Sequence, residues 1–490
     1  MTFDNASPRR TPRASAARSV PLALALWLPV STVLSANWPA WRGPHGSGVC
    51  TEKNLPLTWS ATNNIRWRVP LPDRGNSTPI VWGRRVFVTQ AIDKDNRRVV
   101  LCFARADGKL LWQSGVNATD KEPTYEANPY CSSSPVTDGQ RVIAWFGSAG
   151  VHCYDFQGKE LWARDLGRQA HQWGYGASLL LYRELCILSF GPGERSFLIA
   201  LAKRTGKTVW QVDWPHLRPD AKWEDYGGSA EHAAKPGAQK LSEIAGSWST
   251  PIVVRAAGHD ELVNAFPLVL LAVDPQSGRE RWRCAGLNIG AYSSPFAGEG
   301  TIAVTSSGFV NVGMAVRPGG RGDITSTRRL WHRERIKAHV GSGVVHRGHA
   351  YLVSYEGFAQ CLDLRTGATV WEERLTGSGA RNGCWSSPVL AGDRLYLANQ
   401  NADTFVLRAS PKFELVQVNS LGGEPMNASL AVSNGEIFIR TDKNLWCIGQ
   451  AKQKSHSTLS VQWRWPLTSA LSLPMGEGES QRGVGLFTNR

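Results

Sequence analysis

The residues best suited to metal or acid–base chemistry lie in one long irregular stretch, Gln211 to Gly246. Among its imidazole and carboxylate side chains are His216, Glu224, Asp225, Glu231 and His232. Such groups bind divalent metals, and carboxylates also donate and accept protons. Their spacing is irregular and no His-Glu-x-x-His pattern is present, so the sequence favours a solvated lid over a metal site.

A second set of chemically useful residues opens eight strand starts that are rich in serine, threonine and proline, such as NSTPIVW and YSSPF. These residues are Asn76, Ser132, Tyr175, Trp248, Tyr292, Ser342, Trp385 and Asn427, with Trp173 and His339 just upstream. Aromatic faces and amides arranged in a ring are able to stack on a flat cofactor, a sugar or a peptide. We expect the same side chains to pack the strand ends, with ligand binding as the alternative.

Two basic features are candidates for anion binding. Arg42 stands in the motif WPAWRGP. Its planar guanidinium suits an anion or, as we favour, an ion pair that fixes the N-terminal segment. Arg335, Lys337 and His339 form a short basic run that is compatible with an anionic ligand. No Ser-His-Asp or paired-carboxylate arrangement follows from spacing alone.

Short repeated units must position these residues. In five units a glycine precedes a tryptophan by four residues; the pairs are Gly108 and Trp112, Gly158 and Trp162, Gly206 and Trp210, Gly278 and Trp282, and Gly367 and Trp371. The glycine supplies a tight turn between two strands. The tryptophan buries a large apolar area while its indole N–H reaches a backbone acceptor in the next unit. These residues are predicted to be structural, and in the fifth unit Arg317 to Arg329 replaces the usual turn.

Joined to the serine-rich starts, the units predict an all-β chain. Each unit has four antiparallel strands, and eight units form a β-propeller at residues 37–450. The strand Ile65 to Leu71, which carries Trp67, has no preceding unit, so we predict that it completes the last blade and closes the ring. Two long connections, Gln113 to Tyr130 and Gln211 to Gly246, fall on the face where the strand starts line a central funnel.

The chain ends differ from the repeats in composition. Residues 1–36 place four arginines before a short apolar run with two prolines, which predicts a cleaved signal peptide; a membrane anchor is the alternative. Residues 451–490 lack periodicity and are predicted to be disordered. The net charge of +15 is spread singly, which indicates a solvated surface and not nucleic-acid binding. We expect a soluble monomer in the periplasm or another extracytoplasmic compartment, without a membrane span after signal cleavage.

The nine cysteines do not form a disulfide framework in the sequence. Cys102, Cys153 and Cys361 occupy one repeat position, which predicts small buried residues. Cys131 and Cys384 have no role that the sequence assigns.

The repeats resemble those of quinoprotein-type β-propellers, whose pattern Ala-x-Asp-x-x-Thr-Gly-x-x-x-Trp is matched best by Cys361 to Trp371. The resemblance covers about residues 38–449 and includes an exported bacterial group. A propeller similar in layout is the outer-membrane protein assembly lipoprotein, which implies a binding scaffold without catalysis. Enzymes with this repeat use pyrroloquinoline quinone and calcium, although this chain has no adjacent cysteine pair and no haem-attachment motif.

Three functions therefore stand as hypotheses. The favoured one is an exported scaffold that binds a protein or a cell-envelope polymer without a cofactor. The second is a dehydrogenase of alcohols or sugars that uses pyrroloquinoline quinone with calcium. The third is a carbohydrate-binding or carbohydrate-active protein.

Overall fold

The computed structural model describes most of the repeat region and little beyond it. The described residues are 36–119, 121–193, 195–214, 222, 224 and 245–450. The predicted signal peptide, apart from Ala36, and the predicted tail at 451–490 lie outside them, as does most of the 211–246 connection. Within the described part no helix has the length and apolar character that a bilayer crossing requires.

The described chain forms eight four-stranded antiparallel blades, as the repeats predict. The first four blades are β3 (Ile80–Trp82), β4 (Arg85–Ile92), β5 (Arg97–Ala104) and β6 (Leu110–Asn117); β7 (Val136–Thr137), β8 (Arg141–Trp145), β9 (Val151–Asp155) and β10 (Glu160–Arg164); β11 (Leu180–Tyr182), β12 (Leu185–Phe190), β13 (Phe197–Ala202) and β14 (Thr208–Asp213); and β16 (Ile252–Ala256), β17 (His259–Phe266), β18 (Val269–Val273) and β19 (Glu280–Ala285). In each blade the first strand is innermost and the fourth outermost.

The remaining blades follow the same order. They are β21 (Phe296–Gly298), β22 (Thr301–Ser306), β23 (Val312–Val316) and β25 (Arg329–Glu334); β26 (Val344–His346), β27 (His349–Val353), β28 (Phe358–Asp363) and β29 (Thr369–Arg374); β30 (Val389–Ala391), β31 (Arg394–Ala398), β32 (Asp403–Arg408) and β33 (Leu415–Ser420); and β34 (Ala431–Ser433), β35 (Glu436–Arg440), β36 (Asn444–Ile448) and β2 (Ile65–Pro70). The short elements are β1 (Val49–Cys50), β15 (Gly246–Ser247), β20 (Gly290–Ala291), β24 (Gly322–Asp323) and two 3₁₀ turns, Asp93–Asp95 and Gly147–Ala149.

The ring closes through the N-terminal strand. β2 pairs antiparallel with β36, which places Trp67 opposite Cys447 and Arg68 opposite Trp446. The predicted closure is therefore confirmed. Pairing the two ends of the ring removes the unpaired strand edge that an open array would expose.

The repeated tryptophans join neighbouring blades, as predicted. Six indole N–H groups donate to backbone carbonyls in the following blade: Trp67 to Arg105 (2.8 Å), Trp112 to Phe156 (2.9 Å), Trp162 to Lys203 (3.0 Å), Trp210 to Pro275 (3.1 Å), Trp331 to Leu364 (3.0 Å) and Trp371 to Ser410 (3.0 Å). The repeat glycine leaves room for the ring of the preceding blade. A Cβ at Gly206, where φ is +70°, would stand 2.5 Å from the ring of Trp162.

Trp282 is the exception, because the fifth blade lacks the glycine turn. Its indole N–H donates instead to Glu261 at 2.8 Å, inside its own blade. The replacing segment adds β24 parallel to β19, and its Gly319 N–H donates to the same carboxylate at 3.2 Å. Trp331, which the repeat pattern missed, fills the tryptophan position of this fifth blade.

A closed ring of hydrogen bonds links the starts of all eight innermost strands. We call it the hydroxyl ring. Each member's backbone N–H donates to the side-chain oxygen of the member in the next blade, at 2.7–3.2 Å, through Thr78, Ser134, Ser178, Thr250, Ser294, Ser342, Ser387, Ser429 and back to Thr78. All eight members are buried. These are the hydroxyls of the serine-rich starts.

The hydroxyl ring predicts a difference between two adjacent serines. Ser134→Ala leaves the buried Thr78 N–H without its acceptor and should lower the free energy of unfolding by about 1–3 kcal/mol. Ser133→Ala is the matched control, because the buried Ser133 hydroxyl has no hydrogen-bond partner in the described structure. We expect its urea midpoint to equal or exceed the wild-type value. Equal destabilisation by both variants would contradict the ring.

Candidate functional site

The eight strand starts surround a central cavity of about 450 Å³, which we call the cup. Each blade contributes the residue that lies two positions before its hydroxyl-ring member: Asn76, Ser132, Gly176, Trp248, Tyr292, Val340, Trp385 and Asn427. Trp173 and His339 also line the cup. Eight of the ten residues that we singled out as funnel-lining candidates therefore meet in one cavity.

Tyr175 and Ser342 are corrections to the sequence-based assignment. Tyr175 is buried away from the cup, and its hydroxyl accepts a hydrogen bond from the Cys131 N–H at 3.2 Å. Ser342 is a member of the hydroxyl ring, so the cup-lining residues of these two blades are Gly176 and Val340. In five other blades a proline follows the hydroxyl-ring residue and marks its position. Neither of these two strand starts has that proline, so the predicted cup-lining position was one residue off in the third blade and two residues off in the sixth.

The N-terminal segment, residues 38–48, closes the far end of the cup. It contacts the first blade through the Trp38 N–H and the Val81 carbonyl at 2.8 Å, and the Leu390 N–H of the seventh blade donates to it at 2.8 Å. Both contacts lie farther along the innermost strands than the cup-lining residues. Trp41 lies between them in the segment and lines the cup.

Arg42 fastens this segment to the sixth blade. Its guanidinium donates to the carbonyls of Ser342 at 2.7 Å and Gly343 at 2.5 Å, and to Ser47 at 2.6 Å. Burial lowers the pKa of Arg42 to about 9, so the group remains protonated at neutral pH. The expected ion pair is therefore wrong: backbone carbonyls, and not a carboxylate, hold the guanidinium.

One aromatic wall of the cup comes from the third to fifth blades. The rings of Trp173 and Trp248 lie 5.9 Å apart, and Tyr292 meets Trp248 edge-on at 5.0 Å. The Trp248 indole N–H donates to the Gly174 carbonyl at 2.9 Å, which fixes the orientation of the ring. This wall therefore presents a preformed apolar surface to the cup.

A second aromatic wall is built around Trp385. Trp385 begins the seventh blade and stacks on Tyr125 at 6.4 Å with an interplanar angle of 14°. Tyr355 contacts the same indole at 6.4 Å. Trp173 also meets Tyr292 of the fifth blade at 6.1 Å, and Tyr355 belongs to the sixth blade, so aromatic rings line the cup from the fourth blade round to the seventh. The Trp385 indole nitrogen is buried and has no hydrogen-bond partner among the described residues.

Amide side chains fix the first long connection over the cup. Asn76 and Asn427 both donate to the Ala127 carbonyl, at 2.8 and 3.0 Å. Asn128 donates to the Trp173 carbonyl at 2.7 Å. This connection therefore brings Tyr125 to the cup in a fixed position, and part of the amide capacity that the sequence offers is used to hold it.

The lining of the cup is uncharged. No Asp, Glu, Lys or Arg occurs among its described lining residues. Burial lowers the pKa of His339, whose Nε2 lies 2.8 Å from the Gln360 amide oxygen, so the imidazole is neutral at neutral pH. Burial raises the pKa of Tyr292 to about 12, so its hydroxyl stays protonated. The cup therefore offers aromatic faces, amides and hydroxyls.

Two members of the basic run before the sixth blade, Arg335 and Lys337, lie in a different groove, which His339 shares with the cup. Arg335 and Lys337 line a cavity of about 410 Å³ together with Glu356 and Glu372. The Lys337 ammonium is 3.7 Å from the Glu372 carboxylate. Arg333 also lines this groove, so three cations and two acids face one another there.

The candidate metal ligands of the second long connection are not brought together by the described structure. His216, Asp225, Glu231 and His232 lie outside the described residues, and Glu224 is exposed. Among the residues that are described, no group of three His, Cys, Asp or Glu side chains has the geometry of a metal site.

All nine cysteines are free thiols, and eight of them are buried, which confirms their interpretation as core residues. Cys131 and Cys384 stand directly before the cup-lining residues Ser132 and Trp385. Burial raises the pKa of both thiols to about 12. They lie behind the cup wall and are protonated at neutral pH.

The aromatic and amide cup residues that escaped the sequence analysis are Trp41, Tyr125, Asn128 and Tyr355. Trp41 lies in WPAWRGP, where only the arginine had been singled out. Tyr125 and Asn128 belong to the first long connection, which was predicted to lie on the funnel face. Their positions depend on contacts with distant strands, which local patterns do not reveal.

Comparison with known proteins identifies the family. A family profile described as outer membrane protein assembly factor BamB matches residues 49–174, 95–373 and 194–448. Together these matches span the propeller. No curated protein matches the sequence.

Solved structures share the fold at low sequence identity. BamB from Moraxella catarrhalis is 14% identical, with a TM-score of 0.53 over 79% of this chain and 98% of that chain. The computationally designed Ika8 protein is 10% identical, with a TM-score of 0.50 over 78% and 99%. Quinohemoprotein alcohol dehydrogenase from Comamonas testosteroni is 12% identical, with a TM-score of 0.42 over 90% and 83%. The first two support the propeller fold alone.

The anchoring of the first long connection is testable by hydrogen exchange. The double variant Asn76→Ala/Asn427→Ala removes both donors to the Ala127 carbonyl, so amides near residues 121–130 should exchange about tenfold faster or more. Asn311→Ala is the control, since it removes an amide bond to the distant Ile336 carbonyl. Unchanged exchange in the double variant would show that other contacts hold the connection.

Thiol labelling tests the burial of the cysteines. At pH 8 and without denaturant, iodoacetamide should leave the eight buried thiols unmodified and label the partly exposed Cys50 only slowly, because burial raises the pKa of its thiol to about 11. In urea all nine should react, as counted by mass spectrometry. Rapid labelling of Cys131 or Cys384 in the folded protein would contradict the closed wall behind the cup.

Proposed function

Because the chain belongs to the family described as outer membrane protein assembly factor BamB, we propose that it is an extracytoplasmic, non-catalytic binding propeller. Its ligand, a protein or another component of the cell envelope, enters the cup. Export rests on the N-terminal sequence, in which arginines precede a short apolar run. The family description, which names a part in outer-membrane protein assembly, agrees with that compartment.

The observation that carries this proposal is the chemistry of the cup lining. Its described residues provide aromatic rings, amides and hydroxyls without a carboxylate or a cation. Hydrolysis of a glycosidic bond commonly uses two carboxylates, and general acid–base catalysis needs a group that titrates near the working pH. The His339 imidazole is the lining group most similar to an acid–base catalyst. It is buried and hydrogen-bonded to Gln360, which indicates a structural role. The lining therefore supports binding better than bond cleavage.

A quinone cofactor fits this cup poorly. Pyrroloquinoline quinone carries three carboxylates, and calcium takes carboxylate and carbonyl oxygens as ligands. The described lining contains no arginine or lysine for the quinone carboxylates and no acidic side chain for the metal. We therefore propose no step through this cofactor.

Site-specific photo-crosslinking tests the place of binding. A photoreactive phenylalanine derivative at Tyr125, which is 45% exposed at the cup, should give an ultraviolet-dependent adduct in cells that express the chain. The same group at Leu111, which is 46% exposed on the outermost strand of the first blade, is the matched control. Trp385→Ala should reduce the adduct at position 125. Adducts at position 111 alone, or at neither position, would overturn the proposal.

A cofactor titration tests the absence of quinone chemistry. We expect purified protein with added pyrroloquinoline quinone and calcium to show no binding tighter than about 0.1 mM. No reduction of a dye should follow on addition of alcohols or sugars. Stoichiometric binding with dye reduction would replace the scaffold with a dehydrogenase.

A further inference from the structure

We propose that the ligand of the cup is a neutral saccharide, bound as the uncharged end of a glycan chain. This inference rests on the proposed function, because it takes the cup as the binding site. It identifies the ligand by the shape and chemistry of the cup: two aromatic walls, neutral polar groups beside them, and one closed end.

The aromatic walls match the faces of a sugar ring. A pyranose has flat patches of C–H groups on its faces and hydroxyls around its edge. Trp173 and Trp248 form one wall, and Trp385 with Tyr125 forms the other. A sugar ring that stacks on either wall places an apolar face on an aromatic surface, a favourable pairing. The cavity of about 450 Å³ has room for about two hexose units.

The polar groups of the cup suit the hydroxyls at the edge of the sugar. Six members of the hydroxyl ring line the cup and present hydroxyl groups to it. Ser132, Asn128 and Tyr292 add hydroxyl and amide groups to the lining. Uncharged donors and acceptors recognise hydroxyls without the desolvation cost that a buried ion would carry.

The closed end of the cup selects a chain end. The N-terminal segment crosses the ring and contributes Trp41 to the lining, so a polymer cannot run through the channel. A peptide end would bring a charged amine or carboxylate into a lining without a described counter-charge, at considerable cost. The non-reducing end of a neutral glycan carries no charge. The same argument disfavours acidic polysaccharides, phospholipid headgroups and nucleic acids.

The test is a glycan array probed with the purified chain, followed by titration of the best neutral oligosaccharide. We expect retention on neutral glycans and not on sulfated, uronic-acid or amino-sugar probes. Trp385→Ala and Tyr125→Ala should each weaken binding about tenfold or more. Tyr125 is half-exposed, so its variant keeps the fold even if Trp385→Ala does not. Leu161→Ala, at an exposed residue of the second blade outside the cup, should bind as the wild type does.

The possible outcomes distinguish failure of the saccharide inference from failure of the proposed binding function. Retention on charged probes in preference to neutral ones, or neutral binding that survives both cup variants, overturns the inference. No retention on any glycan, with the cup-dependent adduct at position 125 still present, overturns the saccharide and leaves cup binding standing. No retention and no adduct overturn both.

Discussion

The ring of eight hydrogen bonds from backbone N–H groups to serine and threonine hydroxyls is the constraint on which the rest of the structure depends. Each bond crosses from one blade to the next, and the ring returns to its start, so each hydroxyl position is fixed by two neighbours. A buried N–H left unpaired costs more than a hydrogen bond contributes, which explains why every blade supplies a small hydroxyl here. The tryptophans join the blades farther out.

The hydroxyl ring also defines what the protein is free to vary. Because the ring member is fixed, the residue two positions earlier faces the cup in every blade, and its side chain takes no part in the hydroxyl ring. Those positions carry asparagine, serine, glycine, tryptophan, tyrosine and valine. The same scaffold therefore holds aromatic walls on some blades and amides on others. The blind end comes from the N-terminal segment, held across the ring by Arg42 and Trp38.

The fold could be predicted because its units repeat in the sequence. Part of the site could not be predicted, because its residues lie in segments that do not repeat. The Gly-to-Trp spacing seen at Gly206 and Trp210 occurs in five units and was sufficient to predict the blades. Trp67, which has no preceding unit, was sufficient to predict how the ring closes. Trp331 was missed because Arg317 to Arg329 replaces the turn that marks its copies. Trp41 and Tyr125 could not be placed, since their positions depend on contacts such as Arg42 to Ser342, which are 300 residues apart in sequence. Local patterns carry no information on such contacts.

The chain as a whole is basic, but the described lining of the cup carries no charged side chain. Ligand binding in the cup therefore does not depend on the net charge of the protein. The most direct test of this account is a crystal structure of the chain soaked with a neutral oligosaccharide. The account predicts density for a sugar ring inside the cup, stacked on the indole ring of Trp173, Trp248 or Trp385. Density on the outer rim of a blade, or a cup filled by residues of the 211–246 connection, would contradict it.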